Sequence, residues 1–302
     1  MPPPRAHRYF PRPLIFLHVP KAAGSTLMEI VVRQFAGGKG FRFTGSPDNL
    51  AGFIAMTEAE RASYDVLHGH VPYGIHAHVP GGATYITMLR DPVERIISHY
   101  YFVLRKPDHY LHDRVARGGP RGGAMSLHQY VEQRTSIELD NDQTRYFIEQ
   151  PNPADRFTPI NPDLLDAAKS TLDRHMAVVG LAERFDESLV LVQCAFGWLN
   201  VTYERKNVTE NRPGQAAIDP ATLALIRDIN RHDVALYEHA VTLFERQVTA
   251  LGDAFDERLR DFRARQARRA DGARAPYTTA PWSESSPPSS SSARWSSSPS
   301  ST

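Results

Sequence analysis

A three-layer α/β domain, with a central parallel sheet flanked by helices, is the fold class that this sequence predicts. Short apolar runs alternate with helical periodicity from about residue 14 to about residue 251. Two of those runs end in a turn that opens a helix, at Pro20–Thr26 and at Arg90–Pro92. The first run, Leu14 to Val19, is apolar apart from His18, the pattern of a strand buried on both faces.

Taken in order, Leu14–Val19 is the first predicted strand and stops at Pro20, after which Ser25 or Thr26 caps a helix reaching Phe35. Asp65–His68 and Ala83–Leu89 read as two further strands. The second of these leads into Asp91-Pro92, a cap and first-turn proline opening a helix to about Arg105. Ala177–Leu181 is the fourth strand. Asp219-Pro220 then opens one long helix with its stripe at Leu223, Ile226, Val234, Tyr237, Val241, Phe244, Val248 and Leu251, interrupted by Asn230. The stripe predicts packing against the sheet. Outside this domain, residues 1–13 read as a proline-rich flexible leader and 252–274 as a charged helical or flexible extension. The Ser/Pro-rich stretch 275–302 reads as a disordered tail, too poor in apolar area to offset chain entropy.

The chain has 302 residues, and 35 Lys+Arg against 34 Asp+Glu leave a net charge of +1, which argues against a dedicated nucleic-acid binder. Its one cysteine, Cys194, excludes an internal disulfide and a Cys-rich zinc site, and its apolar setting predicts a buried thiol. No stretch reaches the roughly 18 apolar residues of a membrane span, so no integral membrane segment is expected. The start lacks a signal-peptide apolar centre, so a cytoplasmic location is expected. Homo-oligomerisation is left open. The sequons Asn200-Val201-Thr202 and Asn207-Val208-Thr209 have no evident use in that location.

Pro20-Lys21-Ala22-Ala23-Gly24-Ser25-Thr26 lies between strand and helix, where backbone N–H groups and the helix dipole face an anion. Gly24 admits close backbone approach, Lys21 supplies a mobile cation, and the Ser25 and Thr26 hydroxyls donate to phosphoryl or sulfuryl oxygens. The competing reading is an exposed turn with an incidental lysine. Neither G-x-x-x-x-G-K-S/T nor G-x-G-x-x-G is present, which disfavours a Walker-type ATPase and a dinucleotide-binding dehydrogenase. In a second segment, Thr87 to Tyr101, Arg90 ends a strand and Ser98 lies two turns into the next helix, both within reach of one phosphate.

With these two segments the chain resembles the sulfotransferases that use 3′-phosphoadenosine 5′-phosphosulfate, specifically the carbohydrate branch containing the heparan sulfate and uronyl 2-O-sulfotransferases. The resemblance covers about residues 14–250 and implies a single P-loop-like domain. It implies that Lys21, Ala22, Ala23, Gly24, Ser25 and Thr26 hold the 5′-phosphosulfate and that Arg90 and Ser98 hold the 3′-phosphate. Leu67-His68-Gly69-His70-Val71-Pro72-Tyr73 looks like the branch's H-G-H-V-x-Y segment, which carries its catalytic histidine. His70 is the implied general base, with His68 as alternative base or orienting neighbour; structural histidines and a His-x-His metal site are the other readings. Asn141–Phe147 and Val179–Phe185 resemble two weaker motifs, and Lys206 and Asn207 fall where the family has a basic cofactor-closing loop. In the first loop, Ala22 departs from the threonine frequent in the family's P-K-T turn.

The implied reaction moves a sulfuryl group to a carbohydrate hydroxyl by in-line transfer, with adenosine 3′,5′-bisphosphate as product, Lys21 on the bridging oxygen and no metal required. The stretch Arg105, Lys106, His109, Arg114, Arg117 and Arg121 suits an anionic polysaccharide, or is a solvated Gly-rich loop. Two other classes stay open: a non-catalytic nucleotide-binding module, and a magnesium-dependent kinase-like phosphoryl transferase using Asp65 or Asp91.

Overall fold

The computed structural model describes residues 12–149, 159–204, 213–270 and 283–285. The chain begins with β1 (Leu14–Leu17), α1 (Gly24–Gln34), β2 (Lys39–Phe43), α2 (Pro47–Ile54), α3 (Glu58–Ala62), β3 (Val66–Gly69) and β4 (Thr84–Leu89). A mostly helical stretch follows: α4 (Pro92–Arg105), α5 (His112–Arg117), α6 (Leu127–Glu132), α7 (Asp142–Tyr146) and α8 (Pro162–His175). Then come β5 (Met176–Leu181), α9 (Phe185–Phe196), α10 (Pro220–Ile229), α11 (Arg231–Leu251), α12 (Asp253–Ala270) and β6 (Ser283–Ser285).

The strands form one sheet in the order β5-β4-β1-β3-β2-β6 with every pairing parallel, and helices flank it, so the α/β class holds. From β1 the chain moves toward β2, whereas from β4 it moves toward β5. The connections therefore diverge between β1 and β4, and a crevice opens at their carboxyl ends. β1 is buried throughout, as its unbroken apolar run requires.

Two local expectations change, and one strand, β2, was not foreseen: Gly37, Gly38 and Gly40 precede or interrupt it, yet its Phe41 and Phe43 are fully buried and meet the Phe53 ring in tilted and edge-on contacts. The long helix predicted from Asp219 breaks at Asn230 into α10 and α11. Asn230 is fully buried; its Oδ1 accepts from the Asn141 N–H at 3.1 Å and its Nδ2 donates to the Leu139 and Ile226 carbonyls. Those bonds to a distant segment replace helical continuity. The first helix is not capped by Ser25 or Thr26, which lie inside it.

Of the terminal segments, 252–274 is helical over α12, whose Phe255, Leu259 and Phe262 are buried against the core. Within 275–302 only β6 is described. A second apolar cluster, separate from the sheet core, joins α4, α5, α6 and α10 through Ile96, Ile97, Val115, Tyr130 and Ile226. Between the two lies Arg95, fully buried, 3.5 Å from Asp142 and 3.8 Å from Asp233, with its Nη2 donating to the Glu138 carbonyl at 2.6 Å. Burial pushes the Asp233 carboxyl above its usual range, against the opposing pull of Arg95. Removing either partner would strand a buried charge, at a cost of about 3–5 kcal/mol.

Candidate active site

The turn after β1 is wound tightly, with Lys21 at φ 66° and Ala23 at φ 60°. Ala23, in the left-handed conformation, is the N-cap of α1 and offers no side-chain bond to the first turn. A serine or threonine cap would occupy those N–H groups; here Ser25 and Thr26 lie inside the helix instead. Gly24 has a steric reason as well, since a Cβ there would meet the His18 ring at 2.1 Å. Ala22 is fully buried in the core, so only its backbone faces the turn; Thr26 is buried and Ser25 exposed. The Lys21 ammonium rests 3.7 Å from the centre of the Phe102 ring on α4.

Arg90 follows β4 across the crevice. Its Nη1 donates to the Lys21 carbonyl at 3.1 Å, tying the two segments together. Glu94 at 3.4 Å and Glu183 at 3.6 Å flank the guanidinium. Gln143, fully buried in α7, accepts from the Arg90 N–H and donates to the Arg90 carbonyl. Asp91 caps α4 by accepting from the Glu94 N–H at 2.9 Å, with Pro92 in the first turn as expected. Ser98 is partly exposed two turns along α4; no hydrogen bond among the described residues links it to Arg90 or Lys21.

The histidines gather one strand away. Gly69, at φ 120°, lets the end of β3 approach β2 so closely that a Cβ would meet the Phe43 carbonyl oxygen at 2.1 Å. That contact explains glycine between His68 and His70. The His70 Nδ1–H donates to the His18 carbonyl at 3.0 Å, and a carbonyl can only accept, so the neutral ring carries its lone pair on Nε2. The His18 and His70 rings lie 4.8 Å apart. Burial, then the neighbouring His70, pushes His18 down to about 3, and burial together with Arg42 pushes His68 down to about 4. His68 is only 5% exposed; His70 is half-buried.

Lys21, Gly24, Arg90, His68 and His70 thus converge on the carboxyl ends of three adjacent strands, β4, β1 and β3. Lys206 and Asn207 lie outside the described residues. A cleft beside Thr26 is lined also by Glu29, Arg33, Tyr203, Glu204 and Arg269. Sequence reasoning missed His18, Arg42 and Phe102. His18 is hidden in an apolar run, and Arg42 is carried by β2, a strand interrupted by glycine and not foreseen from the sequence. Phe102 could have been found as the position one helical turn beyond Ser98.

The turn fits an anionic nucleotide: its helix start carries no capping side chain, and a lysine and an arginine converge on it. The carboxylates a kinase would need are engaged elsewhere. Asp65 precedes β3, at the opposite end of the sheet from Lys21, and accepts from Arg12 and from the Lys39 N–H. Among the described residues no group of three or more His, Cys, Asp or Glu is arranged to hold a metal ion. Cys194 is half-buried in α9, where burial raises its thiol. In the basic stretch, Arg117 pairs with Asp113 at 3.7 Å on the surface.

The chain is 29% identical over 218 residues to galactose-3-O-sulfotransferase 3 of Bos taurus, covering 64% of this chain and 46% of that one. It is 26% identical to galactosylceramide sulfotransferase of Mus musculus over 80% of this chain and 59% of the relative. It is 25% identical to heparan sulfate 2-O-sulfotransferase of Caenorhabditis elegans over 60% of this chain and 59% of the relative. The chain therefore spans about half the length of the curated relatives it matches. The cytoplasmic location expected from the sequence does not stand, because these relatives are enzymes of the Golgi type. No helix among the described residues is long and apolar enough to cross a membrane. The model of the sulfotransferase family matches residues 11–240, which takes in β1 to α10, the first part of α11 and every residue of the crevice, and the chain belongs to that family.

Proposed function

We propose that this chain transfers a sulfuryl group from 3′-phosphoadenosine 5′-phosphosulfate to a hydroxyl of a carbohydrate acceptor, with His70 as the general base. The observation that carries the reading is the bond from His70 Nδ1 to the His18 carbonyl, which orients the ring and leaves Nε2 as the basic atom. His68 serves as a buried neighbour: it is almost inaccessible and is held at about 4, too weak a base for this task near neutral pH.

When bound, the donor supplies an activated sulfuryl group and a bisphosphate leaving group. His70 takes the proton from the acceptor hydroxyl at Nε2 as that oxygen closes on sulfur. Lys21 moves from the Phe102 ring to donate to the bridging oxygen as the bond to sulfur breaks, countering the charge that builds there. Backbone N–H groups of Gly24, Ser25 and Thr26 orient the 5′ end, and Arg90 with Ser98 binds the 3′-phosphate. Lys206 and Asn207 are proposed to cover the donor.

Calorimetric titration with adenosine 3′,5′-bisphosphate, with AMP and magnesium-ATP as controls, tests the reading before the acceptor is known. Metal-independent binding that needs the 3′-phosphate and weakens in Arg90→Ala supports it. Preference for magnesium-ATP would overturn it in favour of a phosphoryl transferase. Bisphosphate binding with turnover unchanged in His70→Ala would remove the histidine mechanism.

A further inference from the structure

Four groups line the carboxyl edge of the sheet in strand order: Arg90 after β4, Lys21 after β1, His70 after β3, and Arg42 one residue from the end of β2. The proposed chemistry gives the sequence a direction. The leaving oxygen lies at Lys21 and the base is His70, so an in-line nucleophile enters from the side beyond His70, which is the β2 side. Arg42 is the cation on that side.

Arg42 pairs in register with His68 across β2 and β3, so both side chains stand on one face of the sheet. It is exposed, and its guanidinium makes no hydrogen bond or ion pair with any described residue. The strand end that carries it is nonetheless fixed. Buried Asn49 donates to the Arg42 carbonyl at 3.2 Å and accepts from the Thr44 N–H at 3.1 Å. His68 and His18 stay neutral beside it, so recognition of an anion on this flank falls to Arg42. An unpaired, planar, permanently charged fork on a rigid strand end suits a carboxylate or sulfate.

We propose that Arg42 is a specificity-determining residue that binds an anionic substituent of the acceptor sugar and so favours acidic over neutral acceptors. The inference rests on the transferase reading above.

The test uses protein loaded with adenosine 3′,5′-bisphosphate and three p-nitrophenyl β-D-glucosides that differ only at C6: the parent hydroxymethyl, the carboxylate and the 6-sulfate. Binding is read by ligand-observed NMR in wild type, Arg42→Gln and Arg42→Lys. At least one anionic probe is expected to bind wild type about tenfold more tightly than the parent. Arg42→Gln should abolish that preference and Arg42→Lys retain part of it, with the parent unaffected; the probe preferred identifies the anion. Equal binding of all three probes to wild type, or a preference that survives in Arg42→Gln, overturns the proposal. If the bisphosphate itself does not bind, the transferase reading falls and takes this inference with it. If it binds and no preference depends on Arg42, this inference alone falls.

Discussion

Gln143 holds the Arg90 main chain at both of its polar groups, accepting from the N–H at 3.0 Å and donating to the carbonyl at 2.8 Å. Its own N–H donates to Asp233 on α11 at 3.1 Å, and Asp233 also accepts from the Thr144 N–H at 2.7 Å. The backbone that aims Arg90 across the crevice is thereby referred to α7 and α11, not to the strand alone. Gln143→Met keeps the volume and removes both bonds, each worth about 1 kcal/mol net. Affinity for adenosine 3′,5′-bisphosphate is expected to fall roughly tenfold. Calorimetry on the folded variant reads this directly; an unchanged dissociation constant would mean that Arg90 does not need this clamp to bind the 3′-phosphate.

Lys21 should matter to the chemical step more than to binding. Its ammonium lies on Phe102, while its carbonyl is what accepts from Arg90, so truncating the side chain leaves the Arg90 contact in place. Lys21→Ala is expected to lower kcat by about 100- to 1000-fold, the usual loss for one positioned charge stabiliser, with a smaller change in bisphosphate affinity. Steady-state transfer of labelled sulfate separates the two. Wild-type kcat in the variant would remove Lys21 from the mechanism.

The two histidines of the His-Gly-His segment should separate cleanly. His70→Ala is expected to cost about 100-fold or more in kcat and to flatten the acid limb of the pH–rate profile. His68→Asn, at a site nearly closed to solvent, should change kcat by less than about tenfold. The reverse ranking would make His68 the base.

Much of this was readable from local signals, and what was not has an identifiable cause. β1, β3, β4 and β5 announce themselves as apolar runs, and the Asp91-Pro92 and Asp219-Pro220 starts behave as their chemistry demands. Lys21 and Arg90 follow from their places just after strands. β2 was lost because glycines surround its two buried phenylalanines, and Arg42 was lost with it. The break at Asn230 and the grip of Gln143 on Arg90 depend on partners some 50 to 90 positions away, which no local periodicity reports. The cap of α1 misled for a related reason: Ser25 and Thr26 are good capping residues, but the left-handed turn at Ala23 starts the helix before them.

Stability should fall with acid in a window that belongs to histidine. His18 and His68 are held at about 3 and about 4 in the folded chain, against 6.5 for the free side chain. Below 6.5 the unfolded chain binds protons that the folded one refuses, so the unfolded state gains as pH drops. The contribution of these two groups is complete above about pH 6.5 and is lost progressively down to about pH 3 to 4. Unfolding near pH 5 should therefore take up about two protons from this pair alone, plus a share from His76, His109 and His232, which burial also lowers. Urea midpoints measured from pH 7.5 to pH 4.5 give that proton number from their slope. His68→Asn is expected to reduce it by about one while leaving the midpoint at pH 7.5 little changed. A slope identical to wild type would show that His68 titrates normally in the folded protein. The buried, neutral partner assigned to His70 would then have to be replaced by a charged one.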